Sequence, residues 1–320
     1  MMRPPTIDQI CLSDTPRNSI QHYWLDICST GLSQPLQIPV IVARGNNDKP
    51  VLGITAAIHG NEINGIAAIH GIMENIDIHA LEGSIIAIPV CNVPSFVRRR
   101  RRFPNHEDLN RIMPGNPTGN ISGIYAHHFH DKVLTKLDYL IDLHTASFGR
   151  VNSFYVRANM NSKTIRTMAK LQNPGIILHN EPTVGTLRHA AEELGLPAIT
   201  VELGDPNIFQ QPFIDKGING IHNMLDHLHM LDKDDDTEDT VVKPIICKDS
   251  YWIYAADGGL LTVHPELYEK VEKGQLIATL TDVFGSELQQ YKAPEDGIVI
   301  GKSNSPVGEA GARILHLGLY

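Results

Sequence analysis

Val51-Leu52-Gly53-Ile54-Thr55-Ala56-Ala57-Ile58-His59-Gly60-Asn61-Glu62 decides how this chain is read. The largely apolar run at 51–58 fits a buried strand, and Gly60 marks the place where that strand breaks. His59 and Glu62 then offer an imidazole nitrogen and a carboxylate three residues apart, just ahead of an amphipathic helical pattern. Two histidines and one glutamate make up a common catalytic zinc site, which also keeps one position open for water. The second histidine is supplied by Leu140-Ile141-Asp142-Leu143-His144-Thr145. His144 follows another apolar run, and Asp142 shares its face if the segment is extended. Asp142 is therefore a candidate to orient groups around the ion; the plainer alternative is an acid capping a neighbouring loop.

Outward from that stretch, apolar runs alternate with helical patterns. Strands are predicted over 39–44, 51–58, 84–90, 139–143, 153–157 and 198–203. Helices are predicted over 64–75, 123–136, 162–172, 186–194 and 212–231. Such alternation implies a mostly parallel sheet covered by helices on both faces. Ligands bind beyond the carboxyl ends of strands in open sheets of this kind. His59, His144 and Glu202 each stand at or just past the end of an apolar run, so one rim of the sheet would gather them. Glu202, in Thr200-Val201-Glu202-Leu203-Gly204, is either a salt-bridged structural acid or, beside a metal, the natural general base.

The acidic stretch Leu231-Asp232-Lys233-Asp234-Asp235-Asp236-Thr237-Glu238-Asp239-Thr240 reads as a solvated linker. It lacks the glycine and terminal glutamate of a calcium loop. Beyond it the pattern changes to short β runs at 250–255, 259–263, 276–282, 290–293, 297–300 and 312–317, punctuated by glycine-containing turns. Two domains are expected, a catalytic one over 1–235 and a small all-β one over 245–320.

Composition narrows the function classes. The chain has 320 residues, 42% hydrophobic and 20% charged, which suits an ordinary globular protein. A formal charge of -9 gives no reason to expect nucleic acid as a partner. No segment approaches the roughly 20 apolar residues of a membrane span. Met1 to Thr6 is followed by no apolar stretch of signal-peptide length. The four cysteines are scattered and form no CxxC pair; they read as reduced thiols, so a cytoplasmic location is expected. The sequence is compatible with a homo-oligomer and does not choose a state.

Other polar clusters divide. With 16 histidines in the chain, a single one says little. His127, His128 and His130, like His222, His227 and His229, fall on helical patterns and read as surface residues. The run Arg98-Arg99-Arg100-Arg101-Arg102 precedes Asp108-Leu109-Asn110-Arg111. Net acidity and the lack of interleaved aromatics argue against nucleic acid here. An anion-binding loop fits better, with Arg111 gripping a substrate carboxylate through two parallel bonds and Asn110 adding an amide donor.

Four islands in this order resemble the succinylglutamate desuccinylase/aspartoacylase family, a branch of the zinc carboxypeptidase superfamily. They are His59-Gly60-Asn61-Glu62, Asp108-Leu109-Asn110-Arg111, Asp142-Leu143-His144-Thr145 and Val201-Glu202-Leu203-Gly204. The resemblance covers roughly residues 50–205. It implies a zinc-carboxypeptidase-like mixed, mostly parallel sheet and a small C-terminal barrel-sandwich-like β domain. It also implies one Zn²⁺ per chain on His59, Glu62 and His144, with Glu202 as catalytic acid and base and Asn110 and Arg111 on the substrate. A further family arginine polarises the scissile carbonyl. Arg102 is the choice from the five-arginine run, with Arg101 and Arg100 as alternatives. Arg188, in Gly185-Thr186-Leu187-Arg188, resembles another substrate-binding position.

The segments 271–277 and 293–299 also look like those of biotinyl and lipoyl carriers. Such a carrier needs a lysine at the intervening hairpin, where this chain has Thr281-Asp282-Val283-Phe284-Gly285. A structural or pocket-covering role is therefore expected of the β domain. The expected reaction is hydrolysis of the amide of a small N-acylated compound, with a carboxylate on the substrate. The rival readings are a zinc carboxypeptidase acting on peptides and a non-catalytic metabolite-binding protein.

Overall fold

The computed structural model describes residues 3–232 and 242–320. Met1, Met2 and residues 233–241 lie outside the described residues, and with them most of the stretch read as a linker. In chain order the strands of the larger part are β1 (Thr6–Ile7), β2 (Ser19–Ser29), β3 (Pro35–Arg44), β4 (Val51–Ala56), β5 (Ser84–Ile88), β6 (Tyr139–His144), β7 (Arg150–Asn152), β8 (Phe154–Ala158), β9 (Ile176–His179), β10 (Ala198–Leu203) and β11 (Ile245–Cys247). All but β7 join one ten-stranded sheet in the order β1-β2-β3-β5-β4-β6-β10-β8-β9-β11. Six of its nine neighbouring pairs are parallel, including the central block β5-β4-β6-β10. The mixed, mostly parallel sheet expected from the alternation is present.

Helices cover both faces. They are α1 (Asn64–Asn75), α2 (Val93–Val97), α3 (Ile121–Lys132), α4 (Lys163–Leu171), α5 (Leu187–Glu193) and α6 (Gln211–His227). Helix α1 buries Ile66, Ile69, Ile72 and Met73 at helical spacing. Those residues share one core with Ile165 and Met168 of α4, and with Ile214, Ile221 and Met224 of α6. Tyr125 and Phe129 of α3, with Leu187 and Ala190 of α5, pack into a second core on the other face. Side-chain caps start four of these helices: Asn92 accepts from the Ser95 N–H, Asn120 from the Gly123 N–H, Ser162 from the Ile165 N–H and Thr186 from the His189 N–H. No described helix is long and apolar enough to cross a membrane.

The remaining strands are β12 (Asp249–Tyr254), β13 (Gly259–Val263), β14 (Lys270–Val271), β15 (Leu276–Thr281), β16 (Glu287–Lys292), β17 (Gly297–Ser303), β18 (Val307–Gly308) and β19 (Arg313–Leu319). They form two small antiparallel sheets, β12-β19-β17-β14 and β16-β15-β13-β18. Their shared core is built from residues such as Ile277, Leu280, Ile314 and Leu317. One feature ties this unit to the rest: β7 pairs antiparallel with β17, Gly301 opposite Asn152 and Ser303 opposite Arg150.

Candidate active site

Strand register does most of the assembly. In β4, β6 and β10 the residues Leu52, Ile54, Ala56, Ile141, Leu143, Ile199, Val201 and Leu203 enter the core beneath α1 and α6. Side chains alternate along a strand, so Thr55, Asp142, His144, Thr200 and Glu202 face the opposite side. Parallel pairing sets Thr55 beside Asp142 and His144 beside Glu202. The last two reach the same rim because β6 and β10 end level with each other.

His59 and Glu62 come to that rim from the turn after β4. The Glu62 N–H donates to the His59 carbonyl at 3.0 Å, closing a tight turn ahead of α1. Gly60 makes the turn possible by close approach. A Cβ there would lie 2.1 Å from Phe96 N and 2.2 Å from Ser95 C, backbone atoms of α2. The sequence signal of a glycine between two ligand candidates has this packing as its cause.

The geometry fits a metal ion. Among the described residues, ligand atoms of His59, Glu62 and His144 lie within 4.8 Å of one another, and all three residues are buried. Each imidazole presents Nδ1 to the Glu62 carboxylate, at 2.9 Å for His59 and 3.0 Å for His144. The opposite nitrogens are held by carboxylates: His59 Nε2 lies 3.0 Å from Asp108 Oδ1, and His144 Nε2 lies 2.7 Å from Asp142 Oδ2. Donation of Nε2–H to these acids leaves the Nδ1 lone pairs turned inward, the usual arrangement behind a metal-binding histidine. Despite its proximity to Glu62, His59 Nδ1 is buried with no hydrogen-bond partner, and a cation would satisfy it. Burial opposes ionisation of Glu62, but the two imidazoles outweigh it and hold the carboxyl well below its usual range. Asp108 behaves likewise, desolvated yet kept ionised by His59 and Arg101.

Around this trio stand the other candidates. Glu202 caps β10 with its carboxylate hydrogen-bonded by Asn152 Nδ2 at 3.1 Å and by Tyr155 Oη and Arg157 Nε at 3.4 Å each. Arg101 places Nη1 3.0 Å from Glu62 Oε1 and donates from Nε and Nη2 to Asp108. Arg102 also lines the cavity, but its guanidinium donates to the His106 carbonyl at 3.3 Å. The Leu187 N–H donates to Asn110 Oδ1 at 2.7 Å, fixing the amide so that its N–H groups are the ones left for a ligand. Arg111 is exposed at the cavity edge. Arg188 is buried, with Nη2 donating to Asn180 Oδ1 and Nη1 without any partner. Burial and the nearby Arg157 charge pull it down to about 10. All the candidate site residues read from the sequence except Asp142 line one cavity of ≈ 590 Å³. Of the discounted histidines, His127 and His130 both lie against Asp131 on α3, away from the trio.

Comparison with known proteins shows the family and the fold. The profile of the succinylglutamate desuccinylase/aspartoacylase catalytic domain matches residues 48–228, more than half of the chain. The chain belongs to this family. An N-alpha-acetyl-L-2,4-diaminobutyric acid deacetylase from Halomonas elongata is 25% identical over 283 residues, covering 83% of this chain and 81% of that protein. A succinylglutamate desuccinylase from Pseudomonas paraeruginosa is 28% identical over 192 residues, 55% of this chain and 56% of that enzyme. Among solved structures, the ectoine utilization protein EutE (DoeB) of Ruegeria pomeroyi, in a product-bound state, superposes with a TM-score of 0.84 at 22% identity. That match covers 94% of this chain and 95% of that one. A family member from Rhodobacter sphaeroides reaches 0.85 at 22% identity, covering 98% and 100%. These structures establish the shared fold over both units.

Several residues of this family member's cavity carry little or no signal in the sequence. Tyr155 and Arg157 face the cavity from β8, where antiparallel pairing sets Tyr155 opposite Glu202. An arginine inside the apolar run Phe154–Ala158 is a usable signal. Trp252, Arg313 and His316 reach the same cavity from the C-terminal unit. Of these, only His316, a lone polar residue in the run Ile314-Leu315-His316-Leu317, carries any hint. These three side chains make the C-terminal unit part of the cavity wall.

Proposed function

We propose that this chain is a zinc-dependent amidohydrolase that cleaves the amide of a small, carboxylate-bearing N-acyl amino acid or a related N-acylated compound. The observation that carries the proposal is the convergence, in one cavity, of the buried His59–Glu62–His144 trio with Glu202 across a strand pair. The deacetylase and desuccinylase relatives act on molecules of this class, which supports the reading. The proposed setting is the cytoplasm, in keeping with four cysteines that are all free thiols.

His59, Glu62 and His144 would hold one zinc ion. Bound there, zinc would supply Lewis acidity, lowering the pKa of water beside it and drawing electron density from a carbonyl oxygen. Glu202 accepts a proton from the attacking water and passes it to the leaving amide nitrogen, so that the C–N bond breaks to a free amine. Asn152, Tyr155 and Arg157 hold its carboxylate in place for both transfers. Arg101, already aimed at Glu62, stabilises the negative charge that develops on the carbonyl oxygen. This revises the choice of Arg102 made from the arginine run. Asn110, Arg111 and the unpartnered Nη1 of Arg188 would grip the substrate carboxylate and set the amide at the attack distance.

The test is a zinc-loaded screen against N-acetyl, N-succinyl and N-formyl amino acids and diamines, reading released amine. At least one class is expected to turn over. Glu202→Gln should keep one zinc per chain by elemental analysis while turnover falls roughly 10²- to 10⁴-fold, the range for a lost general acid–base. Unchanged turnover removes Glu202 from the mechanism. Release of C-terminal residues from peptides, with no N-acyl hydrolysis, would select the carboxypeptidase reading.

A further inference from the structure

Glu202 must stand at a set distance from the turn that carries His59 and Glu62, yet the two belong to different elements. Side chains outside the cavity join them. Asn64, fully buried at the first position of α1, lies two residues beyond Glu62. Its Nδ2 donates at 2.7 Å to the carbonyl of Leu203, the residue after Glu202, and at 3.1 Å to Gln210 Oε1. Its Oδ1 accepts from the Gln210 N–H at 2.9 Å. Both ends of this amide are thus engaged, across the gap between α1 and β10.

Gln210 continues the path. Its Oε1 also accepts from the Asp205 N–H at 2.7 Å, and its Nε2 donates to Asp205 Oδ2 at 3.0 Å. Burial pushes the Asp205 carboxyl up, opposed by Gln210 and by the backbone N–H of Asn152. Asn152 is the residue whose side chain donates to Glu202. The contacts therefore run from the metal turn through Asn64, Gln210, Asp205 and Asn152 to the Glu202 carboxylate. Gly204 makes room for them: its φ is 76°, and a Cβ there would lie 2.5 Å from Gln210 Oε1. The same loop also returns to the turn directly, the Asn207 N–H donating to the Asn61 carbonyl at 2.8 Å.

We propose that Asn64, Gln210 and Asp205 are positioning residues that set the Glu202 carboxylate against the metal turn, with Gln210 as the central link. This rests on the amidohydrolase reading, in which the metal and Glu202 act on the same water. None of the three lines the cavity, so they act through Glu62 and Glu202 and not on the substrate. The loop 204–210 thereby belongs to the catalytic machinery, although it carries no group that reacts.

The test reverses the polarity of the Gln210–Asp205 bond in a double-mutant cycle. Gln210→Glu keeps the side-chain length but sets two carboxylates against each other. Asp205→Asn alone leaves one acceptor where there were two; combined with Gln210→Glu, it restores a donor between the side chains and keeps an acceptor for the Asn152 N–H. At saturating zinc, on the best substrate of the screen, each single replacement should lower kcat by about 10- to 100-fold with KM little changed, the usual effect of a lost outer-shell partner. The double replacement should return most of that loss. The ratio of Gln210→Glu to wild-type kcat should also rise as pH falls towards about 6, because one proton shared by two carboxylates rebuilds the bond. A role confined to stability would lower the melting midpoint and leave kcat of the folded, zinc-loaded protein unaltered at every pH. That outcome overturns the proposal, as does a loss that the double replacement fails to return. Should Gln210→Glu not fold, Asp205→Asn and the double replacement decide in the same way. Zinc affinity, measured by chelator competition, reads the metal turn without turnover and should fall and return along the same cycle. If wild type hydrolyses no probe while zinc affinity follows the cycle, the hydrolase reading falls and the link stands. Hydrolysis by wild type, with kcat and zinc affinity kept in both single replacements, sinks the link and leaves the hydrolase standing.

Discussion

Arg101 and Arg102 are adjacent and chemically identical, yet their guanidinium groups end in different surroundings. The chain turns at Arg99, whose φ of 53° is in the left-handed region. Beyond it Arg101 points to Glu62 and Asp108, while Arg102 leans back on the His106 carbonyl. Arg101→Gln is therefore expected to reduce kcat by roughly 10²- to 10³-fold, the cost of losing one preorganised stabiliser of oxyanion charge. Arg102→Gln should cost far less. Steady-state kinetics on the best substrate of the screen decide between them, and a larger effect at Arg102 would restore the choice made from the sequence. Five arginines in a row carry no internal mark of direction, so sequence narrows the role to that run and no further. His59 and His144 are legible because each stands at or just past the end of an apolar run, and Glu62 because it follows His59 by three residues.

Elements that carry the site are legible for a related reason. Strands β4, β6 and β10 are buried on both faces, and their mostly apolar runs announce them. The polar exceptions Asp142, His144 and Glu202 stand out against that background, and register then brings them together. Strand β2 is hidden in the sequence because Ser19–Ser29 mixes polar and apolar residues without clean alternation, near the sheet edge and only partly buried. Helix α2 is hidden because five residues with a proline at the start leave no periodicity to detect. Yet α2 is what the Gly60 turn leans on. Gly60→Ala should push Ser95 and Phe96 aside at a cost of about 1–3 kcal/mol, as overpacking usually does. Thermal melts should show a lower midpoint, and zinc occupancy should drop as His59 and Glu62 lose their relative placement. A variant with full occupancy and wild-type stability would show that the turn tolerates the methyl group.

At the scale of the whole molecule, the β7–β17 pairing is what brings the small unit to the active site. Neither the alternation of strands and helices nor the turn-rich C-terminal pattern reveals it, because pairing between distant segments leaves no local trace. The pairing is tight: a Cβ on Gly301 would stand 2.5 Å from Asn152 Oδ1. Asn152 in turn donates to Glu202, so Gly301→Val should disturb the proposed general base from within the other unit. A fall in kcat of roughly tenfold, with zinc retained, is the expected outcome for a weakened hydrogen bond to a charged group. Kinetics and elemental analysis of the same preparation check it, and unaltered kcat would argue that the pairing is only scaffolding. Asn152→Ala provides the matching control on the other strand.

This ladder also bears on how such a chain can change its chemistry over time. Trp252, Arg313 and His316 sit on strands that share a sheet with β7. Recombination that exchanged residues 249–320 for those of a relative would replace part of the pocket wall in a single event, leaving His59, Glu62, His144 and Glu202 in place provided a glycine is kept opposite Asn152. The C-terminal unit is thus a cassette, through which new substrates can be acquired without rebuilding the machinery that cleaves them.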